Sequence, residues 1–160
     1  MLKLVGVCIL LFTSVLICRE LVEYRRRRLA LCEELLRFVS FLRVQIGCFL
    51  RPVPEVASGF HSDEFMACGF LFDVGEGDLG QAFLSSDAPS LAGEKCARVM
   101  GSLLSSLGSG YLDDEIKLID VHRAELAEVV EQERVEAVRH GRLIRTITAA
   151  SSLGLVILIT

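Results

Sequence analysis

The chain has 160 residues, 52% of them hydrophobic and 24% charged, with a mean hydropathy of +0.50 and a formal net charge of −4. So small a net charge excludes an electrostatic partner as the organising feature, and no basic stripe interleaved with aromatics supports nucleic-acid binding. A chain this apolar and this charged must segregate the two, and it does: the apolar blocks lie at the ends and the charges between them.

The first block runs from Leu4 to Cys18. As a helix it spans about 22 Å, and Met1, Leu2, Leu21 and Val22 lengthen it while Lys3 and Arg19 reach toward the interfaces. A cleavable leader needs small residues before the cut, but Val15, Leu16 and Ile17 are bulky, and Ile17 also argues against a lipid-modified Cys18. The block is therefore expected to be an uncleaved membrane anchor over residues 1–22. A second anchor is expected over 143–160, where Ala150 and Gly154 would let another helix approach closely. Arg19 and the run Arg25–Arg28 follow the first block, and Arg139, Arg142 and Arg145 precede or open the second. The positive-inside bias then places the middle of the chain in the cytoplasm and both termini outside. The arginine run also suits anionic headgroups, although a solvated helix face accounts for it equally.

From Arg19 to Leu50 there is no Pro and a single Gly, Gly47. Leu21, Leu31, Leu35, Leu36, Val39, Leu42 and Ile46 recur at steps that trace one helix face, so the anchor is expected to continue unbroken into a long amphipathic helix. Pro52 and Pro54 end it, and Pro54 suits the first turn of a short helix through Gly59. His61-Ser62-Asp63 reads as a turn, with Ser62 or Asp63 capping a helix through Phe72. Gly75-Glu76-Gly77 breaks that helix, and Asp78 caps a piece carrying Leu79, Ala82 and Phe83. Asp87-Ala88-Pro89-Ser90 is the next turn. A helix over 91–107 follows, with Leu91, Cys96, Val99, Met100, Leu103, Leu104 and Leu107 inward, and Gly108-Ser109-Gly110 stops it. The last helix starts near Leu112, with Asp113, Asp114 and Glu115 complementing its dipole, and runs past His140 into the second anchor. No strand-period alternation is long enough to seed a sheet. The fold expected is all-α: a cytoplasmic helical domain over 19–142 between two transmembrane helices.

Chemistry-bearing patterns are sparse. Gly75-Glu76-Gly77-Asp78-Leu79-Gly80 fits the spacing of a dinucleotide fingerprint, but no strand precedes it, and two carboxylates would face the pyrophosphate. Asp73, Glu76 and Asp78 lack the order of a calcium loop. The six cysteines form no CxxC and read as buried hydrophobes in a reducing compartment. His61, His122 and His140 are scattered, and Asp120 and His122 point apart on a helix. Neither GxSxG, HExxH nor a Walker sequence occurs. No catalytic residue, metal or cofactor is therefore expected, and the chain reads as a non-enzyme.

Taken together, the opening Met1–Gly6, the Pro52-Val53-Pro54-Glu55-Val56 junction after a long helix, Gly77 followed by Ala82-Phe83, and Leu107-Gly108 followed by Glu115, Lys117 and Ile119 resemble the stage III sporulation protein AB family over nearly the whole chain. Gly110-Tyr111, Glu115 and Leu118 depart from that family's usual residues. The resemblance implies a structural component of the mother cell–forespore complex, on the mother-cell side of the forespore membrane. It also implies a soluble domain similar to those of the type II secretion platform protein. The partners so implied are the membrane, other stage III proteins and the cytoplasmic secretion-type ATPase; self-association stays open. Helix ends leave backbone groups available to partners, which marks Pro52, Pro54, Glu55, Glu76, Phe83, Gly108, Glu115 and Lys117 as candidate partner-binding residues. The rival readings are a membrane signalling adaptor and a nucleotide-dependent enzyme built on the glycine loop.

Overall fold

The computed structural model describes residues 2–49, 53–70, 78–108 and 111–159; within these, the side chains of 2–5, 7–8, 10–11, 54, 142–145 and 147–159 are outside the description. Among the described residues the chain is all-α, with seven helices and no strand: α1 Leu2–Phe49, α2 Val53–Ser58, α3 Asp63–Ala67, α4 Leu79–Ser85, α5 Ala88–Ala92, α6 Glu94–Ser106 and α7 Leu112–Ile159. Helices α1 and α7 are each 48 residues long and unbroken. The chain divides into two compact units, Arg28–Glu133 and the paired terminal stretches Met1–Arg27 and Arg134–Thr160.

The inner unit is built on the stripe read from the sequence. Leu31, Leu35, Val39, Leu42 and Ile46 of α1 are all 3% exposed or less, and Cys32 and Phe38 join them on the same face. Burying an aliphatic side chain of this size stabilises the fold by about 1.5–3 kcal/mol. Around Phe38 the core becomes aromatic. Its ring meets Phe60, Phe65 and Phe70 at centroid distances of 5.1, 5.5 and 5.9 Å, the last two nearly perpendicular. Edge-on contacts suit the ring quadrupoles and fix the short helices in orientation as well as depth.

The long helices run antiparallel within this unit, since their contacts pair rising numbers on α1 with falling numbers on α7. Arg28 bonds Glu133, Arg43 donates to both carboxylate oxygens of Asp120 at 3.0 and 3.4 Å, and Ile116 lies over Gly47. The Asp120 carboxylate stabilises the charged Arg43 and raises its pKa above the usual guanidinium value.

Two helix boundaries differ from expectation. Instead of running to Phe72, α3 ends at Ala67. Gly69, at φ +72°, turns the chain so that Phe70 N donates to Phe65 O at 3.0 Å and Gly69 N donates to Met66 O at 3.3 Å. That bond pair is a Schellman stop, and the Phe65–Phe70 ring contact at 5.0 Å is its usual hydrophobic companion. Residue 72 and the Gly75–Gly77 break lie outside the described residues. The second difference is at 88–92, expected to be mostly turn and the start of a long helix. Those residues form α5 with Pro89 in its first turn, and Gly93 at φ +83° separates it from α6. Of the expected inner face, Cys96, Val99, Met100, Leu103 and Leu104 of α6 are buried, whereas Leu91, in α5, and Leu107, just past α6, are only partly buried.

In the terminal unit, Arg25 pairs with Glu136 at 3.5 Å and Arg27 with Glu23 at 3.1 Å. None of its described residues is buried. Leu21, expected on the core stripe, is 55% exposed and belongs to this unit. Among the described residues no helix is long and apolar enough to cross a membrane. Most of the expected anchor 143–160, and part of the expected anchor 1–22, fall on side chains outside the description.

Candidate functional site

The residues expected to meet a partner separate once placed. Pro52 and Glu76 lie outside the described residues, and Pro54 sits in α2 with its side chain outside them. Glu55 is exposed in the first turn of α2. Phe83 corrects the expectation: it is 0% exposed, its ring 5.3 Å from Phe70. The cause is the approach of α4 to α6. A Cβ on Gly80 would lie 3.3 Å from the Ser105 backbone, so the Gly80 face of α4 presses on α6 and takes Phe83 into the core. Asp78 caps α4 as expected, accepting from Gly80 N at 2.9 Å. That carboxylate occupies the helix-start amide which a pyrophosphate would need.

Gly108 and Glu115 do meet, at the turn between α6 and α7, while Lys117 pairs instead with Asp114. Helix α6 ends at Ser106, Leu107 turns extended, and Gly108 adopts φ +86°, a conformation costly for residues with a Cβ. The Glu115 carboxylate then accepts from Gly108 N at 2.8 Å. At the start of α7, Tyr111 O accepts from the amides of Asp114 and Glu115, both at 3.0 Å. The acidic side chain in the first turn thus reaches back over the turn to an amide the helix cannot satisfy, much as a capping box does. Asp113 and Asp114 add negative charge where the dipole favours it. Lys117 stands 3.8 Å from Asp114, both exposed, an ion pair of little energetic weight.

Sequence reasoning missed Tyr111, which this clasp leaves 86% exposed. Its signal was legible: a large aromatic between a glycine turn and an acidic helix start lies off the apolar stripe, with no core position to fill. Leu112 beside it is 38% exposed, and Phe49, at the end of α1 just beyond the Gly47–Ile116 contact, is 60% exposed. Acidic groups around an exposed tyrosine suit protein contact, because Tyr supplies large area at low entropy cost.

Other groups are occupied structurally. His122 donates through Nδ1 to Leu118 O at 2.9 Å and meets Ser102 Oγ at 3.3 Å through Nε2, joining α7 to α6 while Asp120 serves Arg43. A cleft of about 220 Å³ beside the aromatic cluster is lined by Phe60, His61, Met66 and Phe70, and is smaller than small-molecule sites usually are. Among the described residues no three His, Cys, Asp or Glu side chains gather as a metal site. No family model, curated protein or solved structure matches the chain.

Proposed function

We propose that this protein is a membrane-anchored structural component of the stage III sporulation complex, holding a helical domain on the cytoplasmic side for other members to assemble on. One observation carries the anchoring. Ile9, Phe12, Val15, Leu16, Ile17 and Leu21 of α1 are each at least 44% exposed, on a stretch with no buried residue among those described. Apolar area of that extent is unfavourable in water and favourable in lipid. The arginines that follow, Arg25 to Arg28, support an inner-face boundary there. The apolar sequence over 143–160, with Arg139 and Arg142 before it, supports the same topology.

The partner in this reading is the complex's cytoplasmic secretion-type ATPase, and the contact surface is the α6–α7 turn. The Gly108–Glu115 clasp presents Tyr111 among Asp113 and Asp114, which suits a groove with basic and apolar character. The role needs no reacting group; it needs an ordered surface, and the clasp of Glu115 on the Gly108 amide supports one at the α6–α7 turn. The test places a photoreactive amino acid at position 111 in sporulating cells and identifies the protein it captures. An adduct with the ATPase supports the reading; an intact membrane complex without that adduct counts against it.

A further inference from the structure

The run Arg25–Arg28 does not act as one patch, because three of its four side chains already face carboxylates. Arg25 pairs with Glu136 at 3.5 Å and Arg27 with Glu23 at 3.1 Å. Arg28, in the inner unit, is held by Glu133 and packs against Gly93. Three arginines of the terminal unit differ. Arg19 and Arg26 of α1 and Arg139 of α7 are exposed and, among the described residues, make no hydrogen bond or ion pair. Helix geometry gathers them. Arg19 and Arg26 are seven residues apart, so they share one face of α1, about 10 Å apart along its axis. The Arg25–Glu136 pair sets the level of the two helices, and with α7 running opposite to α1 it brings Arg139 about level with Val22, between the other two. Ile17, Leu21 and Tyr24, at steps of four and three on α1, are exposed beside them. Among the described residues Glu20 is the remaining unpaired carboxylate at this level, so the uncompensated charge stays positive.

We propose that Arg19, Arg26 and Arg139 form a binding site for the headgroup of an anionic phospholipid, while Arg25, Arg27 and Arg28 serve only to hold the helices. The inference rests on the anchoring proposed above, and it adds which lipid the boundary takes and which arginines take it. A guanidinium presents planar donors that match phosphate oxygens in pairs, and it does so best when no carboxylate competes. The negative potential of an anionic leaflet acts on such unpaired charges close to the surface. Ile17 and Leu21 offer apolar area to the acyl chains, and the Tyr24 ring suits the headgroup level, where one end is apolar and the other wet. A free phosphate has nothing to cover that apolar area, so the lipid, not the free ion, is the ligand.

The experiment reconstitutes the full chain into phosphatidylcholine vesicles, with and without phosphatidylglycerol, and floats them on a density gradient. Flotation with phosphatidylcholine alone tests the anchoring; a protein left at the bottom there overturns that reading and this inference with it. In floated vesicles, trace spin-labelled phosphatidylglycerol and phosphatidylcholine report which lipid the protein immobilises. The expected result is a preference for phosphatidylglycerol of about fivefold or more, the effect of a single basic residue near an anionic surface. It should shrink as ionic strength rises and disappear when Arg19→Gln, Arg26→Gln and Arg139→Gln are combined. Arg25→Gln combined with Glu136→Gln, which removes an ion pair without changing net charge, should keep it. Equal immobilisation of the two lipids overturns the proposal while leaving the anchoring intact. So does a preference that survives the triple variant, or displacement of the labelled phosphatidylglycerol by inorganic phosphate at matched ionic strength.

Discussion

Truncating Phe38 is the perturbation that most directly probes what holds the inner unit together. Its ring is 0% exposed and contacts three other rings, all edge-on. Phe→Ala changes in cores cost about 3–5 kcal/mol, combining lost transfer energy with the cavity left behind. The three ring contacts, each worth about 0.5–1.5 kcal/mol beyond area burial, place Phe38→Ala at the upper end, about 4–5 kcal/mol. For a unit of this size each kcal/mol lowers Tm by about 4–8 °C, so a fall of roughly 20 °C is expected. The control is Phe41→Ala. Phe41 is half-buried and has one tilted ring contact, with Phe60 at 5.4 Å, which sets its cost at about 1–2 kcal/mol. Far-UV circular dichroism of the full chain in mild detergent measures both. Equal shifts for the two variants, or a fall below about 5 °C for Phe38→Ala, would refute the aromatic cluster as the centre of this core.

Two glycines differ in what an added Cβ would cost. Gly69→Ala, with nothing near its missing Cβ, should cost about 1 kcal/mol through its positive φ, whereas Gly93→Ala, at φ 83° and ψ 160° and against the Arg28 guanidinium, should cost more through backbone strain and crowding together, read in denaturant melts. Asp78→Ala should lower stability by about 1 kcal/mol through loss of the α4 cap, and Asp78→Asn should recover most of it. Glu115→Ala should loosen the α6–α7 turn, read as faster hydrogen exchange at the Gly108 amide. Glu115→Gln, which keeps a carbonyl acceptor, should leave that exchange nearly unchanged.

The long helices were legible because their signals repeat. Nothing between Arg19 and Phe49 breaks the helical pattern except Gly47, and five of the seven stripe residues proved buried. Phe38 went unread because it follows Leu35 at three residues and adjoins Val39, broadening the stripe rather than extending its period. The stops of α3 and α5 were missed for a different reason. Gly69 and Gly93 act through positive φ, and a lone glycine does not announce which conformation it will take. At the candidate site, Gly108 and Glu115 are seven residues apart, and only the αL turn brings carboxylate to amide. Phe83 looked like a surface residue beside a loop; the packing of Gly80 on the Ser105 backbone, a long-range contact, buries it.

The proposed topology embeds both chain ends in a bilayer, with the Arg28–Glu133 unit on its cytoplasmic face. Carbonate washing of membranes from cells making the full chain, paired with protease added to intact cells and to opened ones, addresses both halves. The protein should stay in the carbonate pellet, and its inner unit should be cut only after the cells are opened. Release into the wash, or cleavage of the inner unit in intact cells, would contradict it.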